Sequence, residues 1–311
     1  MRRRTDHTAP GALWSGLIDD AAVFPPGNAP LDQAVLRHRE HLRADYGSLI
    51  GPLLVPAGSV AELVRLAATT GGAAEGPLRV ALISRPGSDP AVLLSALDQA
   101  DAHPAVEVTG AEVGWYDTWL QDLAGRGEIA VEVPRGEQQE RAIREVAIAY
   151  RDGHRVLAKL RTGPTPTWPW PAEAELAAFL DHAAAETIPV KLTGGLHHAV
   201  RGAYLPVGGA DQDREENHGL LNILVALAQR VQDLARAEEM AVILTDRNAA
   251  GLAETVALLD ETTVHAVRSL LTSFGCCTVT DPIGELADLG LVTAPGSTTT
   301  TTPTTLRRTD P

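Results

Sequence analysis

The sequence is poor in lysine, in cysteine and in long apolar runs, and each shortage excludes some classes of protein. Of 26 basic residues among 311, only two are lysines, Lys159 and Lys191. The only cysteines, Cys276 and Cys277, are adjacent. We therefore expect no disulfide framework and a reducing, cytoplasmic location. No run of 18 apolar residues occurs, which predicts that the chain does not span a membrane.

The charge balance also limits the partners that the chain can have. The formal net charge is −14 at pH 7, whereas binding to nucleic acid requires a basic face. We therefore expect no nucleic-acid partner. A small substrate, even an anionic one held in a local basic pocket, remains compatible with this charge, and a homo-oligomer is possible. The basic start of the chain has no apolar segment behind it, which predicts that it is not a signal peptide.

Strand-like and helix-like stretches alternate through most of the chain. Eight strand-like runs separated by helices predict a single (β/α)8 barrel over 13–293, with a doubly wound open sheet as the alternative. No Gly-x-Gly-x-x-Gly follows the early strands, which weighs against dinucleotide binding. Residues 1–12 are predicted to be flexible, and the Thr-rich tail at 294–311 is predicted to be disordered. The pattern leaves the role of 238–262 open.

Both lysines lie in short apolar runs that are typical of strands. Lys159 belongs to VLAKLRTG at 156–163 and Lys191 to IPVKLTGG at 188–195, so the lysines are 32 residues apart, about one strand–helix unit. Unlike arginine, lysine can lose its proton when it is desolvated or lies beside another cation. Two lysines in matching strands of a chain that otherwise avoids lysine therefore indicate amine chemistry. Chance survival or simple ion pairing is the alternative explanation.

Side-chain alternation along the strands predicts a set of polar residues that meet at one end of the barrel. Barrel enzymes place their catalytic residues at the C-terminal ends of the strands, and residues two apart on a strand share a face. The predicted set consists of Glu132, Lys159, Arg161, Lys191 and Thr193. A structural Glu–Lys–Arg network is the alternative to a catalytic one.

Neighbouring ammonium groups at such a place would favour covalent chemistry. Each lysine is expected to lower the pKa of the other, and burial is expected to lower both further. The neutral amine that results can attack a carbonyl carbon and form a Schiff base. Glu132, or Glu107 or Glu112 on the fourth strand, could then move protons at the adjacent carbon.

The two lysine segments resemble those of class I aldolases of the deoxyribose-phosphate aldolase type. That family carries Lys-x-x-Thr-Gly on its sixth strand and a second lysine before Gly-Gly on its seventh. Here KLRTG at 159–163 and KLTGG at 191–195 have the same order and separation. The resemblance implies that Lys159 forms the imine and that Lys191 lowers its pKa. We expect no cofactor for such a carbon–carbon lyase.

The chain departs from that family in two places. It shows no counterpart of the family's acidic residue in an apolar strand motif of the central sheet. Its last predicted strand contains SFGCC at 273–277, without the Ser- and Gly-rich phosphate loop of the family. The second departure disfavours a phosphorylated substrate.

Three further segments are similar to those of a group of bacterial proteins without assigned activity. These segments are a Leu-His-His element at 196–198, a His-Gly-x-Leu-Asn element at 218–222 and a Ser-Phe-Gly-x-Cys element at 273–277. This second resemblance implies no particular chemistry.

Three histidines follow the seventh predicted strand and are expected at the catalytic face. His198 and His218 are candidates for acid–base catalysis, and His197 is a candidate for substrate binding. Together with Glu132 or Asp19 the three could alternatively hold a divalent metal, since imidazole and carboxylate suit Zn, Mn or Fe. Their spacing matches no standard metal motif. Local hydrogen bonding in a loop is the remaining explanation.

The candidates for substrate binding are polar residues predicted at the same face. Arg161 is expected to hold a substrate carboxylate. The other candidates are Thr193, His197, Asp19, Asn222 and Arg201. The function predicted first is a carbon–carbon lyase, aldolase-like, that acts on a small carbonyl compound through a lysine imine. The alternatives are a metal-dependent barrel lyase, isomerase or hydrolase, and a catalytically inactive barrel that binds a metabolite.

Overall fold

A closed barrel of parallel strands forms the centre of the molecule. The computed structural model describes residues 11–70, 76–165, 168–206 and 213–293. The barrel strands are β1 (Ile18–Asp20), β2 (Ile50–Pro56), β3 (Leu78–Ile83), β4 (Val106–Gly114), β5 (Glu128–Glu132), β6 (Val156–Arg161), β7 (Val190–Thr193) and β10 (Leu271–Cys276). They pair in the order β1-β10-β7-β6-β5-β4-β3-β2, and β2 closes on β1. The predicted (β/α)8 barrel is therefore confirmed, and the open sheet is not formed.

Helices alternate with these strands and cover the outside of the barrel. They are α1 (Gly11–Trp14), α2 (Leu31–Arg43), α3 (Val60–Thr70), α4 (Pro90–Asp101), α5 (Trp119–Leu123), α6 (Gln139–Arg151), α7 (Glu173–Ala185), α8 (Leu220–Val231), α9 (Ala237–Leu244), α10 (Ala249–Ala257), α11 (Glu261–Leu270) and α12 (Thr280–Asp288). Helix α4 begins at Pro90, where the Asp89 side chain caps the helix by accepting from the Ala91 amide. Within the described ranges, no helix has the length and apolar character needed to cross a membrane.

The main hydrophobic core is a shell between the sheet and the helices. Alternate residues of β6 (Val156, Ala158 and Leu160) face this shell, where α6 contributes Ile143 and Val146. The intervening residues of β6 therefore face the barrel interior. These are Leu157, Lys159 and Arg161. One face of β6 is therefore in contact with an apolar shell, and the other face is in contact with a charged interior.

The segment whose role the pattern left open, 238–262, is helical. It contains most of α9, all of α10 and the start of α11. The side chains of Asn248 and Asp260 cap the N-termini of α10 and α11. Helix α9 packs against α7 and α8, and α10 and α11 also pack against α8. Nine of the twelve residues of α8 are consequently buried, which is why α8 is apolar on every side.

Three local features differ from the predictions. The loop before α8 carries a small antiparallel hairpin of β8 (Gly202–Tyr204) and β9 (Glu215–Asn217). Strand β10 starts at Leu271, ahead of the SFGCC segment, because Leu271 and Ser273 pair with Val190 and Lys191 of β7. The predicted flexible start lies outside the described residues as far as position 10, and Gly11 already begins α1. The predicted disordered tail, 294–311, lies outside them entirely.

Candidate functional site

The two lysines lie side by side in the barrel interior. Lys159 on β6 is the register partner of Lys191 on β7, and Glu132 on β5 is the register partner of Lys159. Both lysines are buried, with 3% and 5% of their surface exposed. A buried ammonium group is costly unless it is paired, so the groups around the two nitrogens decide what this site can do.

Three carboxylates hold the two ammonium groups. Lys159 Nζ lies 2.7 Å from Glu112 Oε2 and 2.8 Å from Glu132 Oε2. Lys191 Nζ lies 2.6 Å from Glu112 Oε1 and 2.5 Å from Asp19 Oδ2. Glu112 therefore bridges the two lysines, although its Oε1 atom receives no hydrogen bond of regular geometry. We call these five side chains the charged cluster.

The prediction that the lysines lower each other's pKa is wrong for this arrangement. Burial lowers the pKa of Lys159, but the charges of Glu112 and Glu132 outweigh burial and the pKa is raised. The pKa of Lys191 is raised for the same reason by Asp19 and Glu112. The ammonium groups face carboxylates as well as each other, so both are protonated at neutral pH in this state.

The three carboxylates differ from one another in their proton affinity. Burial raises the pKa of Glu112, but the two lysines outweigh it and bring the pKa down to about 2. The pKa of Glu132 is also lowered, because Lys159 outweighs burial. Burial raises the pKa of Asp19, and Lys191 opposes this without cancelling it. We take the Asp19–Lys191 pair as ionic, and Asp19 is the carboxylate of the cluster that most readily accepts a proton.

Glu112 is an acidic residue of the central sheet whose bridging position the sequence did not predict. It stands in β4 between Ala111 and Val113, and only 2% of its surface is exposed. Its neighbours Ala111 and Val113 face the apolar shell, so Glu112 faces the interior. The sequence signal for an interior position was a glutamate between apolar neighbours in a predicted strand. From the sequence, Glu112 was only one of several glutamates that could move protons.

Glycines bring the ends of β6 and β7 together. A Cβ atom on Gly163 would lie 1.7 Å from the Gly194 carbonyl oxygen, and one on Gly195 would lie 2.6 Å from Gly163 Cα. The Thr162 amide donates to the Thr193 carbonyl at 2.7 Å. The Thr-Gly and Gly-Gly segments therefore have a packing role whatever chemistry the lysines perform.

Arg161 and Thr193 lie at the C-terminal mouth above the lysines. The Arg161 side chain is one-third exposed, and its Nε atom lies 3.8 Å from Glu132 Oε1. A Cβ atom on Gly275 would lie 3.2 Å from Thr193 Oγ1, which places that hydroxyl inside the barrel. Both residues remain available to a ligand that enters from this mouth.

The opposite half of the interior is apolar. Strands β1 to β3 contribute a small cluster in which Phe24 packs against buried aliphatic side chains. The buried members are Ala21, Leu54, Ala81 and Ile83. The C-terminal half of the barrel is thus divided into an apolar side and a charged side.

His197 and the two cysteines form a separate group at the ends of β7 and β10. His197 Nδ1 lies 3.5 Å from Cys276 Sγ and 3.8 Å from Cys277 Sγ. Burial lowers the pKa of His197 to about 4, so its ring is neutral at pH 7. Burial raises the pKa of both thiols. Neutral thiols beside a neutral ring are poor nucleophiles.

His198 points away from His197 toward the last helix. Its Nδ1 atom lies 2.7 Å from Glu285 Oε1 on α12, and Glu285 also accepts from the Ala199 amide at 2.6 Å. The His198 ring stacks on Tyr204 with centroids 3.4 Å apart. These contacts fix the ring, and one imidazole nitrogen is committed to the carboxylate.

His218 is buried between other elements. Its Nε2 atom donates to the Pro171 carbonyl at 2.9 Å, and its Nδ1 atom has no partner among the described residues. Burial lowers the pKa of His218. No contact joins it to the charged cluster in the described structure, so its predicted acid–base role there is not supported.

The predicted histidine metal site is not assembled. His197 contacts the cysteines, His198 contacts Glu285, and His218 contacts a carbonyl oxygen, so the three rings do not share a point. In the described ranges no group of three His, Cys, Asp or Glu side chains is arranged to hold a metal ion. Adjacent histidines on an extended segment point apart, which explains the difference.

Asn222 and Arg201 have structural partners in place of the predicted substrate contacts. Asn222 is fully buried, accepts from the Arg201 amide and donates to two carbonyls, those of Ile243 and Asp246. The Arg201 guanidinium is held by Glu173 at 2.6 Å, by Glu216 at 2.7 Å and by the Asn217 carbonyl. Together these contacts tie the β8–β9 hairpin to α7, α8 and α9.

Comparisons with known proteins give a faint likeness to two solved barrels. No protein-family model and no curated protein matches the chain. A structure described as "QR15, an Aldolase" is 12% identical with a TM-score of 0.46, and the match covers 91% of this chain and 98% of that one. A monomeric dihydrodipicolinate synthase variant is 14% identical with a TM-score of 0.35, covering 91% and 99%. Likeness at this level says nothing about activity.

Proposed function

We propose that the protein is a lyase that acts on a small carbonyl compound through an imine on Lys159. The observation that supports this most is the position of the chain's only two lysines. They lie side by side in the barrel and share the carboxylate of Glu112. Charged groups in a barrel interior are expensive, and a pair of amines at such a place has a direct use in carbonyl chemistry.

The charged cluster fits the charge of the imine. When the amine nitrogen of Lys159 attacks a carbonyl carbon and water leaves, the product is a protonated imine that carries the same single positive charge at the same atom. Glu112 and Glu132, at 2.7 and 2.8 Å from that nitrogen, would stabilise the iminium as they stabilise the ammonium. The iminium then accepts the electron pair of the adjacent carbon–carbon bond as that bond breaks.

The step before imine formation needs a proton to leave Lys159. Glu132 can take it, since it contacts Lys159 Nζ and is the less buried of the two carboxylates that do so. The protonated Glu132 can return the proton to the former carbonyl oxygen, which takes a second proton from the attacking nitrogen and leaves as water. The proposed role of Lys191 differs from the one that the resemblance implies. It neutralises Glu112 and Asp19 in place of lowering the pKa of its neighbour.

The mouth of the barrel fits a small carbonyl compound with one anionic end. Arg161 is one-third exposed beside Glu132 and would bind a substrate carboxylate. Phe24 and Ile83 on the apolar side would face the rest of the molecule. The last strand offers SFGC in place of a glycine-rich phosphate loop, so we propose an unphosphorylated substrate.

Borohydride trapping tests the proposal directly, because each adduct can be assigned to one of two lysines. The protein is incubated with a panel of aldehydes and keto acids, reduced and mapped by peptide mass. With the anionic keto acids we expect an adduct on Lys159 in the wild type and in Lys191→Met, and no lysine adduct in Lys159→Met. Absence of any lysine adduct across the panel, with the fold intact, would refute the lyase mechanism.

A non-catalytic metabolite-binding barrel is the second candidate, and the raised pKa values of both lysines favour it. In that case a ligand would bind at Arg161 without any adduct. Calorimetric binding of a keto acid that is unaffected by Lys159→Met but lost in Arg161→Ala would support this candidate over the first.

A further inference from the structure

A cavity of about 380 Å³ opens at the N-terminal end of the barrel, opposite the mouth described above. Its rim consists of residues from the beginnings of successive strands. These are Arg79 on β3, Glu107 on β4, Glu128 on β5 and Arg155 just before β6. Barrel enzymes work at the other end, so this opening has no place in the proposed reaction so far.

The cavity exists because the interior residues near it are small. Ala81, Gly110, Ala130 and Ser273 line its wall. Barrel interiors are usually filled by layers of bulky branched side chains at these positions. Here the layer next to the charged cluster is left open.

The floor of the cavity is part of the charged cluster. Asp19, Glu112 and Lys191 line it, whereas Lys159 is not among its lining residues. All three are more than nine-tenths buried, and Glu112 Oε1 lacks a regular hydrogen bond. Ser273 donates to Asp19 Oδ2 at 2.7 Å and leaves the hydroxyl oxygen free to accept. Lys191 therefore borders the cavity, whereas Lys159 does not.

The rim is held by two weak ion pairs. Arg79 lies 3.7 Å from Glu107, and Arg155 lies 4.0 Å from Glu128, with all four side chains largely exposed. Such pairs contribute little and separate easily. With three cations and four carboxylates along the lining, the cavity favours water and small neutral molecules over ions of one sign. Its volume corresponds to about a dozen water molecules.

We propose that this cavity is a solvent-filled second opening, through which Asp19 and Lys191 exchange protons with bulk water and small neutral electrophiles reach Lys191. Carbonyl substrates would reach Lys159 from the C-terminal mouth. The route of carbonyl substrates to Lys159 rests on the proposed lyase function, whereas the opening itself does not depend on turnover.

The opening lets the charged cluster exchange protons with solvent without use of the C-terminal mouth. Imine formation itself releases no net proton, because the three hydrogens of the Lys159 ammonium are divided between the iminium and the departing water. Asp19 can take a proton from Lys191, which it contacts, and release it to water in the cavity, and the reverse transfer restores the ammonium. No electron transfer or further reactant is involved.

Reductive methylation with formaldehyde and dimethylamine–borane tests the opening on the full-length protein. Apart from the chain's amino terminus, only two amines can react, so peptide mass spectrometry gives a rate for each lysine. We expect Lys191 to react several-fold faster than Lys159 in the wild type. We expect Ala130→Leu, which fills the cavity from β5, to slow Lys191 several-fold and leave Lys159 unchanged.

Two further variants keep the test decisive if Ala130→Leu does not fold. Arg155→Ala widens the rim and is expected to speed the reaction of Lys191 alone. Arg161→Ala removes the side chain that follows Lys159 on the same face of β6 and is expected to speed the reaction of Lys159 alone. Equal rates for the two lysines, or equal changes of both in Arg155→Ala, would overturn the proposal. Neither result bears on borohydride trapping.

Discussion

The barrel interior and the shell between strands and helices differ in the polarity of their side chains. The shell is mainly apolar, with Phe179, Leu224 and Phe274 fully buried, and the Asp20–His38 pair and Asn222 are polar exceptions. The interior holds the charged cluster, in which each lysine nitrogen touches two carboxylates. Adjacent residues of a single strand enter these two environments, as Ala158 and Lys159 do on β6.

The difference indicates how stability and function are divided in this molecule. Burial of apolar surface in the shell supplies the driving force for folding. Buried ion pairs seldom stabilise a protein relative to apolar side chains of similar size, because desolvation offsets their attraction. A chain that keeps five charged groups in its barrel therefore retains them at a cost, which is consistent with a chemical role for the interior.

Removal of the bridging charge should have the largest effect on stability. Glu112→Gln leaves two buried ammonium groups with less compensation, and we expect a loss of about 3–5 kcal/mol in the free energy of unfolding. Urea denaturation measures it. Glu107→Gln, the same change on the same strand but at an exposed pair, should cost about 0.5 kcal/mol or less. Equal losses would contradict the distinction between interior and surface.

A cavity in the shell should destabilise the protein without reaching the amines. Leu224→Ala on α8 removes a fully buried side chain, and we expect a loss of about 3 kcal/mol. The ratio of the methylation rates of Lys159 and Lys191 should stay at its wild-type value. A changed ratio would mean that the shell and the interior are coupled.

Asn222 distinguishes a structural residue from a substrate-binding one. Asn222→Ala leaves one backbone amide and two carbonyls without their partner, and we expect a loss of about 1–3 kcal/mol. Ligand binding at the C-terminal mouth should be unchanged. Weakened keto-acid binding with unaltered stability would restore its predicted substrate contact.

The pH dependence of stability should carry a small contribution from Glu112. Its pKa in the folded protein is about 2 against an ordinary 4.5, so its contribution is complete above pH 4.5 and is lost as pH falls toward 2. The stability difference between wild type and Glu112→Gln should therefore shrink by roughly 1–2 kcal/mol between pH 5 and pH 3. Urea titrations of both proteins at each pH measure it. A constant difference would show that the pKa is not depressed.

The closeness of the two lysines follows from sequence patterns, whereas their protonation does not. Alternation in β6 and β7 places Lys159 and Lys191 on one face, and matching motifs give them equal heights. Their pKa values depend on Glu112 and Asp19, which lie 47 and 140 residues before Lys159 in the chain. Sequence spacing contains no information on which carboxylate enters the gap between two ammonium groups.

The three histidines also show that sequence spacing does not predict the partners of a side chain. His197, His198 and His218 were expected together because they follow one strand. Each instead found its own partner on a different element. These partners are the cysteines at the end of β10, Glu285 on α12 and the carbonyl of Pro171. The direction of a loop side chain is set by the elements that pack against it. A local sequence pattern contains no information on those elements.

Alternation of strands and helices along the chain was enough to predict the barrel, and the near absence of lysine singled out Lys159 and Lys191. The fold alone decided which carboxylates surround those two amines. The reason is physical: periodicity is local along the chain, whereas the electrostatic energy of a buried group depends on distances of a few ångströms between residues far apart in sequence.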